Sequence, residues 1–276
     1  MRERIVLILG VAGLAVGVAG CGREDTARAD MRIAAAFYPL AYLAERIAPN
    51  ADVTNITPAG SEPHDLELSA RDVERVQDAD LVLYLGQGFQ PALEDAVTGH
   101  DRAVDLLGVT GSDPHVWLDP LRFAAMARTV ANALGEPTAA DTLVADLEKL
   151  DRDLRAGLAH CERRELVTSH AAFGYLADAY GLEQIPLTGV APEADPSARD
   201  LEALAAKVEE IGATTVFFEP LVSSKLAETV AREAGVETAI LNPLEGLTDD
   251  ELADGEDYFS VMRANRAALR QGLGCK

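Results

Sequence analysis

The residues with the most chemistry to offer are three histidines. His64 stands in Gly60-Ser61-Glu62-Pro63-His64-Asp65, His115 in Asp113-Pro114-His115-Val116-Trp117-Leu118-Asp119, and His170 directly after Glu165–Ser169. Their separations of 51 and 55 residues exclude a local zinc finger, so only the tertiary fold can bring the rings together. Neutral imidazoles suit zinc, a borderline-soft ion that prefers four nitrogen or sulfur donors. Candidates for the fourth donor are Glu219, after Thr214-Thr215-Val216-Phe217-Phe218, and Asn242 or Glu245 in Leu241-Asn242-Pro243-Leu244-Glu245-Gly246. Water can also fill that position. Glu219 has a second possible role, accepting an imidazole N–H and so setting the ring's tautomer. His100, in a Gly-Asp turn, and His160, at a helix end, read as surface residues.

The elements that must position these side chains alternate between strand and helix. Strands are predicted at 32–37, 52–56, 80–85 and 103–106, with helices at 40–47, 69–78 and from Pro91. The pattern repeats with strands at 165–169, 184–187, 215–218 and 238–241, and helices at 173–180, 197–211, 225–234 and 258–271. Such βα alternation implies mostly parallel sheets covered by helices on both faces. Between the two halves, a helix begun near Leu121 ends at Gly135-Glu136. From Pro137 to His160, Leu143, Leu147, Leu150, Leu154 and Leu158 then form a helical apolar stripe. The fold class is therefore α/β: two doubly wound lobes joined by one long helix. His64, His115 and His170 all fall beyond the carboxyl ends of strands, where open α/β sheets bind ligands.

The N-terminus reads as an address. Arg2 and Arg4 precede the apolar run 5–18, which is too short for a membrane span and matches a signal-peptide core ending at Val18-Ala19-Gly20-Cys21. Small residues before a cysteine resemble a lipobox, in which Cys21 carries lipid after cleavage. The expected organisation is a signal peptide at 1–20, a lipid-anchored tether at 21–30, an N-terminal lobe at 31–136, a linking helix at 137–160 and a C-terminal lobe at 161–276. Acidic residues number 46 against 24 basic ones, a net charge of -22 that excludes nucleic acid as a partner. Removing Arg2, Glu3 and Arg4 with the signal takes it to -23. In an oxidising compartment the remaining Cys161 and Cys275 favour a disulfide, with two unpaired buried thiols as the alternative.

The Pro63-His64-Asp65 loop, the run Asp113-Pro114-His115-Val116-Trp117-Leu118-Asp119-Pro120, Thr168-Ser169-His170-Ala171-Ala172-Phe173-Gly174-Tyr175 and Phe217-Phe218-Glu219-Pro220, together with the lipobox, carry a resemblance. They resemble the zinc- and manganese-binding solute-binding lipoproteins of bacterial ABC importers, a family that also includes cell-adhesion proteins. The likeness extends in order over the exported chain to Tyr258-Phe259-Ser260-Val261-Met262. It implies two lobes on a rigid helix, one metal ion in the cleft, His64, His115 and His170 as ligands, and a membrane permease as the receiving partner. It also implies a monomer held on the outer face of the cell membrane by its lipid. Histidine at the third position marks zinc rather than manganese binders. The family's fourth ligand is often Asp, and Asn242 aligns there, leaving Asn242, Glu245 or water. Many zinc members also carry a His-rich loop, but residues 87–113 hold only His100, so no metal-collecting loop is carried over.

Two other functions compete with metal capture. A zinc hydrolase would use the histidines and Glu219 to activate water, yet neither His-Glu-x-x-His nor Gly-x-Ser-x-Gly is present. A surface adhesin would use the metal for stability alone. For capture, proton competition at ordinary imidazoles predicts affinity falling as pH drops through about 6.5.

Overall fold

A computed structural model describes residues 31–108, 113–191 and 197–276. The signal segment, Cys21 and the tether lie outside the described residues. In the first half, β1 (Arg32–Ala35), α1 (Tyr38–Ile47), β2 (Asp52–Asn55), α2 (Ala70–Gln77), β3 (Leu81–Tyr84), α3 (Pro91–Ala96) and β4 (Ala103–Asp105) follow one another. α4 (Pro120–Ala133) and α5 (Asp141–Leu158) lead into the second half. There the order is β5 (Glu165–Thr168), α6 (Gly174–Tyr180), β6 (Glu183–Pro186), α7 (Ala198–Glu210), β7 (Thr215–Phe218), α8 (Lys225–Ala234), β8 (Glu237–Ile240), α9 (Asp249–Ala253) and α10 (Tyr258–Gly272).

Each half forms a four-stranded parallel sheet, ordered β2-β1-β3-β4 and β6-β5-β7-β8. The central strands β1, β3, β5 and β7 come from apolar runs that a parallel sheet buries on both faces. The edges carry more polar residues, as Asp52–Asn55 and Glu237–Ile240 show. In both sheets the chain steps from the first strand to one side and then crosses to the other. The switch points therefore lie at β1/β3 and β5/β7, and the loops beyond the strands' carboxyl ends share one side.

Ser69 and Asp72 start α2 through a capping box, each side chain bonded to the other's backbone amide, as the sequence suggests. The linking helix is shorter than expected. Glu136–Ala140 forms tight turns, in which Ala139 N donates to Glu136 O and Asp141 N to Thr138 O, so regular helix begins only at Asp141. Eighteen residues give a rod of about 27 Å rather than about 36 Å. All five stripe leucines are nonetheless buried, each contributing roughly 1.5–3 kcal/mol relative to exposure. α5 packs against α4, α6 and α10, within a core continuous through both halves. A second apolar layer, including Val167, Val208, Val216 and Val230, fills the space between the second sheet and α7 and α8.

The C-terminal helix returns to the first lobe. Tyr258, at its start, stacks on Phe123 of α4 at 4.5 Å between ring centroids and on Tyr42 of α1 at 5.9 Å. At its far end Cys161 and Cys275 meet in an isolated antiparallel bridge with their Sγ atoms 1.94 Å apart, a bonded pair that closes a loop of 114 residues. Cross-linking so long a loop restricts the unfolded chain strongly. The C161S/C275S double variant should therefore lose about 3–5 kcal/mol in urea unfolding under oxidising conditions, and the difference from the parent should vanish in excess dithiothreitol.

Candidate metal centre

Each histidine is delivered by a local device written around it. Pro63 opens a 3-10 turn over Pro63–Asp65, and the Glu62 side chain caps it by accepting from His64 N at 3.0 Å. His115 precedes a second 3-10 turn, Val116–Leu118, that feeds into α4, where Asp119 caps the helix and Pro120 opens it. Asp113 Oδ1 accepts from both the His115 amide, at 3.0 Å, and His115 Nδ1, at 2.8 Å. Gly174 allows this approach, since a Cβ there would sit 2.9 Å from Asp113 Oδ2. His170 leaves the end of β5. Thr168 Oγ1 and Gln184 Nε2 donate to its carbonyl, and its Nδ1 donates to Glu219 Oε1 at 2.7 Å. Ser169 Oγ donates to the same Glu219 oxygen.

The three Nε2 atoms converge on Glu245. Its Oε1 lies 3.3 Å from His64 Nε2, 2.9 Å from His115 Nε2 and 3.3 Å from His170 Nε2. All four ligand atoms lie within 4.8 Å of one another. A tetrahedral ion bonded at about 2.0–2.1 Å spaces its ligand atoms about 3.3–3.4 Å apart, so the nitrogen-to-oxygen edges are near the required size. The Nδ1–H groups of His115 and His170 point at carboxylates, which directs their Nε2 atoms toward the shared centre. His115, His170 and Glu245 are almost wholly buried, and the His64 side chain is 8% exposed.

Burial on its own would favour neutral groups, but the hydrogen bonds reverse it. Burial lowers His170, yet bonds and charge from Glu219 and Glu245 push it up to about 10. His115 is likewise raised, against its burial, by Asp113 and Glu245. Burial raises Glu245, and the three histidines overturn that and hold it well below the usual carboxylate range. Burial, then the Glu245 charge, pushes Glu62 up to about 8. Glu245 Oε2, Glu219 Oε2 and Glu62 Oε2 are buried without a hydrogen-bond partner. Native proteins rarely leave such atoms unpaired, and an ion is one of the standard remedies.

The structure thus brings together His64, His115, His170 and Glu245, and places Glu219 behind His170. Asn242 is elsewhere. Its Oδ1 turns back to accept from Leu244 N at 2.7 Å, and Leu244 adopts a left-handed φ of +58°, which swings the chain so that Glu245 enters the cluster. His100 bonds to Ala79 O on the surface of the first half, and His160 is exposed at the end of the α5 region. Asp113 and Glu62 escape a search for ligand-type residues beyond strand ends. Their signal is proximity, since each stands two residues before a histidine.

Two parallel α/β lobes thus carry, converging on one centre, three imidazoles and a carboxylate, a donor set that could hold a metal ion. The chain belongs to the ZnuA family, zinc-uptake complex component A periplasmic, whose pattern matches residues 33–272. Zinc-binding protein AdcA of Streptococcus pyogenes serotype M3 is 34% identical over 293 residues, covering 90% of this chain and 57% of AdcA. The chain thus spans little more than half the length of that relative. The high-affinity zinc uptake system protein ZnuA of Bacillus subtilis is 31% identical over 93% of both chains. The Zn(II)-bound ZnuA-like domain of Streptococcus pneumoniae AdcA superposes with a TM-score of 0.77 at 33% identity, covering 88% of this chain and 99% of that domain. The laminin binding protein Lmb of Streptococcus agalactiae, described as bifunctional with adhesin and metal transporting activity, gives 0.80 at 27% identity over 88% and 99%.

Proposed function

We propose that this protein captures zinc outside the cytoplasm and delivers it to the transmembrane permease of an ABC importer, with His64, His115, His170 and Glu245 as the ligands. The observation that carries the reading is the convergence of three Nε2 atoms on one carboxylate oxygen. Nitrogen-rich donors favour zinc over manganese, which prefers oxygen. A catalytic zinc needs an open position for water. Glu245 fills that fourth position, which supports a carrier over a hydrolase. All four donors come from one chain, so the proposed unit is a monomer, anchored at the membrane's outer face through a lipid on Cys21. Family membership and the zinc-binding relatives support the same cargo.

Isothermal titration of the full-length protein in detergent tests the cargo. Zinc is expected to bind at one equivalent, and manganese, titrated in competition with a chelator, to bind at least about 100-fold more weakly because three of the four donors are imidazoles. Equal affinities for the two ions would overturn the zinc assignment.

A further inference from the structure

Helix α10 holds the segments that follow His115 and precede Glu245 through two residues on its buried face. Tyr258 and Asn265 stand seven residues apart, which places them two turns apart along one face. Tyr258 Oη donates to Trp117 O at 2.7 Å, and Trp117 Nε1 donates to Pro243 O at 2.7 Å. Asn265 Nδ2 donates to Asn242 O at 2.7 Å, while Asn265 Oδ1 accepts from Asn242 N at 2.9 Å. Asn242 Oδ1 in turn accepts from Leu244 N. These bonds close a ring that runs from α10 through Trp117, Pro243 and Asn242 back to α10. Trp117 lies two residues after His115, and Pro243 two residues before Glu245.

Such a ring does more than pack the loop. It pairs Asn242 N and O, Pro243 O and Leu244 N, the backbone groups leading into Glu245, and every member is nearly or wholly buried. Leu244 is held at positive φ with its side chain inaccessible, a conformation that a non-glycine residue keeps only where its surroundings over-determine it. We propose that Asn265 and Trp117 are positioning residues that preset Glu245 as the fourth metal donor and lock its loop to the His115 loop. Asn265 bonds to none of the four ligand side chains, so its effect must pass through the backbone of residues 242–244; Trp117 reaches the same backbone through Nε1 and also packs its ring against His115, with 5.2 Å between centroids. This inference rests on the reading of Glu245 as a ligand.

A double-mutant cycle on zinc affinity separates positioning from general scaffolding. In the full-length protein, N265A is expected to weaken zinc binding about 10- to 100-fold, the usual range for residues that orient metal ligands. W117F, which keeps the aromatic packing and removes the Nε1 donor, is expected to weaken it about tenfold. In an E245A background both substitutions should cost nothing further, because the group they position is gone. The visible spectrum of the cobalt-loaded N265A protein should move toward that of E245A. Losses of equal size in both backgrounds, or unchanged affinity in the parent background, would overturn the positioning role and leave the ligand assignment standing. Parent and E245A proteins of equal affinity would instead remove Glu245 from the ligand set, and this proposal with it. Should N265A fail to fold, the W117F arm of the cycle decides alone.

Discussion

Replacing His64 by alanine is expected to weaken zinc binding by more than about 100-fold while leaving the metal-free fold nearly as stable as the parent. The lower bound follows from the metal ligand itself mattering more than the outer partners that orient it, which are worth about 10- to 100-fold. His64 is the cleanest of the three histidines to remove. Its ring touches Phe89 and the cluster, with no outer carboxylate depending on it for a partner. His170 is different. Alanine there would strip Glu219 of its imidazole partner and leave a buried carboxylate with only the Ser169 hydroxyl. Uncompensating a buried charge costs about 3–5 kcal/mol, so His170→Ala should lose both the metal and a large part of the stability. Parallel zinc titrations and urea melts of the two variants check this contrast. Equal destabilisation of both would show that the outer carboxylates do not act as described.

The second large effect is on pH. Zinc must displace the protons that the metal-free cluster holds on His115 and His170, and each displaced proton makes affinity rise about tenfold per pH unit. Ordinary imidazoles would confine that rise to pH values below about 6.5. The carboxylates instead hold His170 up to about 10 and His115 above its usual value, so affinity should keep climbing from pH 7 to 9. The climb should be between about 10- and 100-fold per unit, according to whether one or two protons leave. Stability of the metal-free protein should run the other way. A histidine raised in the folded state stabilises it fully below its unfolded value near 6.5, and that contribution is lost as pH rises through the folded value. Glu245, held low, contributes above about 4.5 and loses its contribution as pH falls through its folded value. His115, His170 and Glu245 together therefore favour the metal-free fold most between about pH 4.5 and 6.5, while Glu62, raised to about 8, works against it as pH rises above about 4.5; zinc-loaded protein gains as pH rises. Titrations and melts across pH 5 to 9 test both slopes. A flat zinc affinity above pH 7 would contradict the raised values of His170 and His115.

Much of this architecture can be read from residue order, because the signals are local. Apolar runs such as Leu81–Tyr84 and Thr215–Phe218 mark the central strands, and the histidines stand out by their common place after strand ends. What residue order hides is decided by contacts or by single dihedrals. The choice between Asn242 and Glu245 turns on the backbone at Leu244, whose left-handed conformation no periodicity reports. The start of α5 depends on whether Pro137–Ala140 closes tight turns or regular helical ones, and both are compatible with proline. The short α9 has its own capping box, Thr248 with Glu251, which is legible but too brief to show periodicity. That α10 returns to the first lobe and bolts Trp117 to the Glu245 loop is a purely tertiary fact.

Four particular atoms, Nε2 of His64, His115 and His170 and Oε1 of Glu245, are expected to hold one zinc ion. X-ray absorption at the zinc edge of the full-length protein, loaded with one equivalent, addresses them directly when repeated on E245A. The expected result is a four-coordinate zinc with three imidazole nitrogens and one carboxylate oxygen at about 2.0–2.1 Å, and loss of that oxygen's carboxylate signature in E245A. A six-coordinate, oxygen-rich shell, or a spectrum unchanged in E245A, would contradict it.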